Sequence, residues 1–353
     1  MYIVRAIIAF GVLIAVHEGG HCLAAKAFGV KVNEFALGMG PKLLKKQGKE
    51  TLYTLRALPL GGFCAMEGED ADTGDARAFT AKPKWQRAII LCAGALMNFL
   101  IGLLLILCVV PYTNLSEPVV AGFFDGCPYE SADGLQTGDR FVRIDGRRIF
   151  FADNVATYLD RTGSDDHTIV LRRDGKRVVL RNYHMPRVTY TLDDGSTVTK
   201  FGIYFTPRQF GLAANLRYGW YEALDFVRVI WRSLGDLFTG AVGLRDLSGP
   251  VGIVSYVNEA EAAATSPLEA WFTFFYIFAL IAVNLAVMNL LPIPALDGGR
   301  VFFLLITWLI ELVTKKKLNP KYEGYIHTAG FVLLMGLMVF VMFNDVVKLI
   351  LHK

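Results

Sequence analysis

The sequence predicts a mainly α-helical polytopic membrane protein that carries an inserted β-rich domain. Of its 353 residues, 54% are hydrophobic and only 19% are charged, and the mean hydropathy of +0.40 is too high for an ordinary soluble protein. The charged residues are concentrated between long apolar runs. Four runs reach the roughly 20 residues that a membrane-spanning helix needs. The predicted spans are residues 2–28, 89–110, 271–291 and 327–343.

Length alone does not decide the role of two apolar segments, one of which is the start of the first predicted span. The run at residues 301–313 is too short to span and ends near Glu311, so it predicts a helix packed in the bundle or lying at the interface. The N-terminal stretch, with Arg5 near its start, is similar to a secretory signal. It lacks a small-residue cleavage site, however, and its apolar pattern continues past Val16. It is therefore predicted to be a retained span.

The loops between the predicted spans indicate the orientation. Basic residues crowd the loop after the first span and the short loop before the fourth: Lys31, Lys42, Lys45, Lys46, Lys49, Arg56, Lys82, Lys84 and Arg87 in the former, and Lys315, Lys316, Lys317 and Lys321 in the latter. The positive-inside rule places both loops in the cytoplasm, so both termini and residues 111–267 are predicted to lie outside. The net charge of +4 gives no reason to expect a nucleic-acid partner.

The predicted external region changes character along its length. Residues 118–182 alternate β-branched runs with turn signals such as Asp145-Gly146 and Asp174-Gly175, which indicates a small β-rich domain with a short helix at residues 152–159. Residues 212–238 carry apolar residues at helical spacing, which predicts an amphipathic helix that packs on the protein or lies on the membrane. The predicted parts are therefore residues 1–110, 111–205, 206–270 and 271–353.

The sequence His17-Glu18-Gly19-Gly20-His21 lies inside the first predicted span. Residues four apart share one face of a helix, so the two histidines can bind one metal ion. Glu18 is turned away from that face and can polarise a water molecule. An ionised residue at the centre of a span costs about 2.5–3.5 kcal/mol, whereas a zinc site returns on the order of 10 kcal/mol. The segment predicts a metal site, with a soluble metalloprotease helix or a chance match as alternatives.

A catalytic zinc site usually has three protein ligands, so a third is expected elsewhere in the chain. Cys22 points away from the two histidines on a helix, and His327, at the head of the fourth span, is one candidate. Asp297 is favoured because two prolines break the chain just before it at membrane depth, where a carboxylate indicates a functional site. The alternative is that Asp297 only caps the helix that follows.

Two amides in the third span, Asn284 and Asn289, must find hydrogen-bond partners. One interpretation is contact between helices, which typically contributes less than about 1 kcal/mol per residue. The other is that one or both bind an extended substrate backbone or a tetrahedral oxyanion. The spacing alone does not choose between them, although Asn289 lies nearer to the proline break.

Several stretches, taken together and in order, carry a family resemblance. They are residues 17–21 with Ala24-Ala25-Lys26, Gly29-Val30-Lys31-Val32, Gly38-Met39-Gly40-Pro41, residues 58–63, Gly94 to Asn98, Ser248 to Ile253, Asn284 to Arg300, and Phe343-Asn344-Asp345. This combination resembles the site-2 protease family of intramembrane zinc metalloproteases, specifically its bacterial RseP/RasP-type branch. The resemblance extends over nearly the whole chain.

The resemblance implies a catalytic centre. Zn²⁺ would be held by His17, His21 and Asp297, and Glu18 would be the general base. The reaction would be peptide hydrolysis within the membrane, with Glu18 moving the proton of the attacking water.

The resemblance also implies a way to bind the substrate. The segment around residues 58–66, with Gly61 and Gly62, would be a membrane-dipping β-hairpin that pairs with an unwound substrate as an added strand. Family positions linked to substrate handling match Asn284 and Asn289, which favours the functional interpretation of these two amides.

The resemblance further implies location and partners. The β-rich domain would be a single extracytoplasmic PDZ domain, whereas Gram-negative members carry two in tandem. The protein would be a multi-pass protein of the bacterial cytoplasmic membrane, in contact with the lipid bilayer. Its substrates would be single-pass membrane proteins such as anti-sigma factors, and remnant signal peptides. A non-catalytic peptide-binding adaptor and a transporter are the rival interpretations, and no feature indicates an oligomeric state.

Overall fold

The computed structural model describes residues 2–69, 73–113, 115–161, 163–191, 195–243, 249–315 and 320–351. Of the positions singled out in the sequence, Ser248, Lys316 and Lys317 lie outside the described residues. The chain divides into two compact units. The membrane unit comprises Met1–Val109 and Phe226–Lys353, and the β-rich unit comprises Val110–Asp225.

Most of the membrane unit is α-helical. In the described ranges the α-helices are α1 (Tyr2–Ala27), α2 (Lys84–Val109), α3 (Ala152–Arg161), α4 (Leu212–Phe238), α5 (Pro250–Ala262), α6 (Pro267–Asn289), α7 (Asp297–Thr314) and α8 (Pro320–Leu351). Four of them, α1, α2, α6 and α8, are long and apolar enough to cross a membrane. The four predicted spans correspond to these helices, which is compatible with a multi-pass membrane protein. The short apolar run at residues 301–313 lies in α7.

The last helix is longer than the fourth predicted span. That span was predicted at residues 327–343, whereas α8 continues through Asn344 and Asp345 to Leu351. Asp345 is buried, and its Oδ2 accepts hydrogen bonds from the N–H groups of Gly249 and Gly252 at 2.9 Å each. A carboxylate at a helix N-terminus satisfies free N–H groups there, so this acid joins α8 to the start of α5.

The strands form a hairpin in the membrane unit and two sheets in the β-rich unit. They are β1 (Val32–Gln47), β2 (Leu52–Met66), β3 (Ser116–Phe123), β4 (Arg140–Ile144), β5 (Arg147–Arg148), β6 (Asp166–Arg173), β7 (Lys176–His184), β8 (Val188–Thr191), β9 (Thr197–Lys200) and β10 (Ile203–Pro207). The larger sheet has the order β10-β3-β4-β6-β7, with β5 beside β4, and β8 pairs with β9. The strands and the short helix predicted at residues 141–180 are thereby confirmed.

The β-rich unit has its own apolar core. Side chains from the sheet and from α3 pack together, and those of Leu135, Ile144, Ile169 and Leu171 are wholly buried. Burial alternates over the first four residues of β6, because successive side chains of a strand point to opposite faces, and Val170 is then buried along with Ile169 and Leu171. A large buried apolar cluster of this kind is what a unit of this size needs to fold.

The β1–β2 hairpin bends back on itself. The start of β1 pairs with the end of β2 on one edge (Leu37 with Gly62) and with the start of β2 on the other (Leu37 with Leu55), while the end of β1 also pairs with the start of β2. Gly38, in the bend, has φ +83°, and a Cβ there would come 2.5 Å from the carbonyl oxygen of Leu58. Only glycine fits both demands. Among the described residues, the last part of β2 pairs with β1 on one edge alone.

Candidate metal centre

Three side chains from two helices bring their ligand atoms together. His17 Nε2 and His21 Nε2, both on α1, lie 3.3 Å apart. Asp297 Oδ2, on α7, lies 3.2 Å from the first nitrogen and 3.3 Å from the second. Within the described ranges, this is the one group of three or more His, Cys, Asp or Glu side chains with all ligand atoms within 4.8 Å of one another.

This triangle of atoms fits a zinc ion. Bonds of about 2.0–2.1 Å at tetrahedral angles place neighbouring ligand atoms roughly 3.3 Å apart. Oδ2 of Asp297 is buried, faces the two imidazole nitrogens and makes no hydrogen bond to any described residue. Three electron-rich atoms at this separation repel one another unless a metal ion or a proton lies between them. Two imidazoles and one carboxylate also form a typical catalytic zinc set.

Asp297 reaches the centre because of the chain break before α7. The helix α6 ends at Asn289, and α7 begins at Asp297, with Leu296 as its N-cap and no side-chain cap. The interpretation of Asp297 as a simple helix cap is therefore wrong. A Cβ on Gly298 or Gly299 would overlap the carbonyl groups of the break, so these two glycines allow the close turn that presents the carboxylate.

His327, the other candidate third ligand, has a different contact. Its Nδ1 accepts a hydrogen bond from the N–H of Ala295 at 3.0 Å. Ala295 has φ +77°, which is uncommon for a residue with a Cβ. His327 therefore holds the backbone two residues before Asp297 and is not in the group of ligand atoms. Cys22 is also outside that group and is buried against the hairpin.

The helix α2 packs closely against the two histidines. Gly94 lies opposite them, and a Cβ at this position would overlap His21 Nε2 and come 2.8 Å from His17 Cε1. The Nδ1 of His21 lies 2.8 Å from the carbonyl oxygen of Ile90. Since that oxygen can only accept, Nδ1 carries the proton and Nε2 keeps its lone pair for a metal. Sequence reasoning quoted Gly94 only within a family stretch.

Asn98, also on α2, is a site residue that the sequence analysis missed. It is buried, and its Nδ2 lies 3.3 Å from His17 Nδ1. The available signal was an amide in a span otherwise free of polar side chains, since such an amide must find a partner. The partner is 81 residues away in the chain, so the sequence did not identify it.

All but one of the remaining predicted site residues lie near the metal centre or in the hairpin beside it. Glu18 lies beside the hairpin, where a Cβ on Gly62 would come 3.2 Å from its Cγ, and Gly61 turns the strand with φ +77°. Asn289 Nδ2 lies 3.4 Å from His17 Nε2. Asn284, by contrast, is exposed on α6.

An ion pair joins the hairpin to α7 near the centre. Arg300, three residues after Asp297, donates a hydrogen bond to Glu69, and Glu69 also accepts from the N–H of Met66 at 3.3 Å. This contact connects the end of β2 to the first turn of α7 across 231 positions of sequence.

The hairpin also holds a well-satisfied acid, Glu34, outside the spans. Its carboxylate accepts hydrogen bonds from Arg56 at 2.8 Å, Thr54 at 2.7 Å and Lys42 at 3.0 Å. Burial alone would raise the pKa of Glu34, but these donors outweigh burial and lower its pKa to about 2.

Known proteins are similar in sequence to this chain over most of its length. Residues 5–337 match peptidase family M50. The chain is 35% identical to a protein of Clostridium perfringens with the provisional name zinc metalloprotease, covering 98% of this chain and 99% of the relative. It is 30% identical to zinc metalloprotease RasP of Shouchella clausii, covering 96% and 97%. It is 28% identical to regulator of sigma-W protease RasP of Bacillus subtilis, covering 99% of each. The chain therefore belongs to peptidase family M50, the site-2 protease family, and is a zinc metalloprotease.

Proposed function

We propose that this zinc metalloprotease hydrolyses a peptide bond of single-pass membrane proteins within the bilayer. The observation that carries the proposal is the triangle of His17, His21 and Asp297 ligand atoms. Two of these side chains project from α1, a helix apolar enough to cross a membrane. A hydrolytic centre on such a helix favours a substrate that is itself in the membrane.

In this proposal His17, His21 and Asp297 hold Zn²⁺. The ion, when bound, lowers the pKa of a water molecule and polarises a carbonyl group. Glu18 accepts the proton of the attacking water and later delivers it to the leaving amine. The position of Glu18 beside the hairpin and outside the ligand triangle supports this division of roles.

The substrate must be unwound before it is cut, because each carbonyl of a membrane helix is already hydrogen-bonded. The open edge of β2 offers backbone partners to an extended segment. Gly61 and Gly62 have no side chains on that strand, and Gly62 lies next to Glu18. Asn289, near His17, would hold the opened backbone or the oxyanion. For Asn284, which is exposed, a contact with the substrate helix is the corresponding role.

We also assign roles to the predicted parts of the chain. Residues 1–110 and 271–353 would form the membrane parts, residues 111–205 a single extracytoplasmic PDZ domain, and residues 206–270 an extracytoplasmic helical segment. The basic loops favour this orientation, and the bacterial relatives favour the bacterial cytoplasmic membrane as the location. The name of the B. subtilis relative, regulator of sigma-W protease, favours anti-sigma factors as substrates. Remnant signal peptides are the second class.

Cleavage in proteoliposomes tests the proposal. The full-length protein is reconstituted with a single-span substrate, and mass spectrometry locates the cut. We expect a cut within the apolar stretch, loss of cleavage with phenanthroline, and restoration by zinc. Glu18→Gln should lower the rate by about 10²–10⁴-fold while zinc stays bound. The half-buried hairpin acid Glu50, which pairs with Arg77, is the control, and Glu50→Gln should leave the rate unchanged.

Two results would contradict this proposal. Turnover by Glu18→Gln close to that of the wild type would remove Glu18 from proton transfer. A cut confined to the water-exposed flank of the substrate would exclude hydrolysis within the bilayer.

A further inference from the structure

The amide of Asn98 faces one nitrogen of His17 in a buried setting. Its side chain is 1% exposed, and its Nδ2 lies 3.3 Å from His17 Nδ1. Its Oδ1 is also buried and makes no hydrogen bond within the described part of the chain. A buried amide oxygen without a donor costs about 1–3 kcal/mol, so this arrangement calls for a physical explanation.

The position of the proton on the His17 ring explains why the Asn98 amide lies here. If His17 Nε2 gives its lone pair to a metal, then the neutral ring must carry its proton on Nδ1. An N–H group at Nδ1 needs an acceptor, and Asn98 Nδ2 is a donor. The two ends of an amide have nearly the same shape, so a half-turn of the amide brings Oδ1 to this place without moving any neighbour.

The arrangement matches the support of the second histidine. Ile90, Gly94 and Asn98 are spaced four residues apart and therefore lie along one face of α2. The Ile90 carbonyl oxygen meets Nδ1 of His21, Gly94 leaves room for both rings, and Asn98 meets Nδ1 of His17. One face of one helix thus contacts the outer nitrogen of each imidazole.

Asn289 does not serve this purpose equally well. Its Nδ2 lies 3.5 Å from Nδ1 and 3.4 Å from Nε2 of His17, so it lies across the edge of the ring and selects neither nitrogen. Asn98 approaches Nδ1 more closely and from the buried side.

We propose that Asn98 is a positioning residue of the zinc centre, with its Oδ1 accepting a hydrogen bond from the Nδ1–H of His17. This contact holds the ring in the tautomer that presents Nε2 to the metal. The inference rests on the proposed ligand set of His17, His21 and Asp297. Loss of such a support typically lowers metal affinity about 10–100-fold.

Zinc affinity, measured by chelator competition on the full-length protein in detergent, tests this inference. Asn98→Leu keeps the branched shape of the side chain and removes the acceptor, and it should lower the affinity by about 10–100-fold. Asn98→Asp retains an acceptor oxygen and should stay within about threefold of the wild type. Leu100→Ala, at an exposed position two residues along α2, is the packing control and should not change affinity.

Thermal unfolding of the zinc-free proteins separates positioning from packing. If Asn98 only joins helices, Asn98→Leu lowers the melting temperature of the zinc-free protein and leaves zinc affinity unchanged, which overturns the proposal. A loss of affinity in Asn98→Asp as large as in Asn98→Leu overturns it too. Should the buried acid prevent folding, Asn98→Thr, which supplies a hydroxyl acceptor, replaces it in the same comparison.

A further variant distinguishes failure of this inference from failure of the proposed ligand set. His17→Ala should abolish high-affinity zinc binding. If His17→Ala binds zinc as the wild type does, the ligand set is wrong. If His17→Ala loses zinc and Asn98→Leu does not, the ligand set stands and the role of Asn98 fails.

Discussion

Each compact unit contains an acid with a deeply buried carboxylate oxygen, and these two acids differ in how the chain satisfies them. In the β-rich unit, Asp139 is completely buried and receives two hydrogen bonds from Arg173 at 2.7 Å each and one from the N–H of Gln136 at 2.9 Å. In the membrane unit, Asp297 turns a buried oxygen towards two imidazole nitrogens, and this oxygen makes no hydrogen bond to any described residue. The chain itself satisfies the first acid, whereas the second faces two nitrogens that can share a metal ion with it.

Glu117 shows that Asp139 is not an isolated case. Burial would raise the pKa of Glu117, yet hydrogen bonds from Tyr218 and Arg140 lower it below its usual value. An acid that the chain itself satisfies contributes to the fold, and its loss is a loss of stability. An acid left for a metal contributes to the site, so its loss should appear first in metal binding.

The substitution Asp297→Asn tests this contrast with the largest expected effect. The amide keeps the shape but gives up the negative charge, and a weaker ligand remains in the triangle. We expect zinc affinity to fall by more than the roughly 10–100-fold that loss of an outer support costs, with cleavage lost in parallel. Zinc content by atomic absorption measures this. Unchanged zinc content would point to another third ligand, for which His327 is the candidate.

Asp139→Asn is the matched change in the β-rich unit. It leaves the half-buried Arg173 without its charge partner, and the cost should be below the roughly 3–5 kcal/mol of breaking a fully buried pair. We expect a lower unfolding temperature for the β-rich unit in calorimetry, while zinc per chain stays at the wild-type value. Loss of zinc in the properly folded Asp139→Asn protein would show that the two units do not divide the roles of their acids as argued.

Gly94→Ala sharpens the contrast within the membrane unit. The added Cβ would overlap His21 Nε2, so α1 and α2 must separate, and the triangle must open. We expect about a tenfold loss of zinc affinity by chelator competition, the lower end of the range for outer supports. Gly11→Ala on α1, where a Cβ meets nothing within 4 Å, should have no effect. Equal affinities for the two variants would contradict the close packing of α2 on the site.

Sequence patterns predicted the parts of this molecule that depend on local periodicity. The four spans follow from hydropathy alone, and the pairing of His17 with His21 follows from the helical repeat. Asp297 was favoured because a carboxylate beside a proline break at membrane depth needs a reason to be there. The ligand triangle itself is long-range, and only the fold brings α7 to α1.

The features that sequence reasoning did not predict are those whose partners lie far along the chain. Asn98 contacts a histidine 81 residues away, and Glu69 pairs with Arg300 across 231 positions. Asp345 was named only within a family stretch, and its partner Gly249 lies 96 positions earlier in the chain. In the structure it is buried, since the N-terminus of α5 supplies the donors it needs.

Glu34 provides the smallest and most specific test, because it is an acid of the membrane unit that the chain itself satisfies. Its pKa is about 2 in the folded protein against an ordinary 4.5, so folding favours its ionised form. The stability this gives is complete above about pH 4.5 and is lost as the pH falls towards 2. We expect Glu34→Gln to be less stable than the wild type at pH 6, and this difference to shrink steadily below pH 4.5.

The comparison is best made by hydrogen exchange of the hairpin in zinc-free protein, so that protonation of the metal ligands does not contribute. Glu50→Gln is the control, because Glu50 and Arg77 form a pair with side chains that are 33% and 48% exposed, and exposed pairs contribute about 0–1 kcal/mol. A pH-independent difference between Glu34→Gln and the wild type would show that packing, and not charge, stabilises this position. In that case the hydrogen bonds to the Glu34 carboxylate would not be the reason that this acid contributes to the fold.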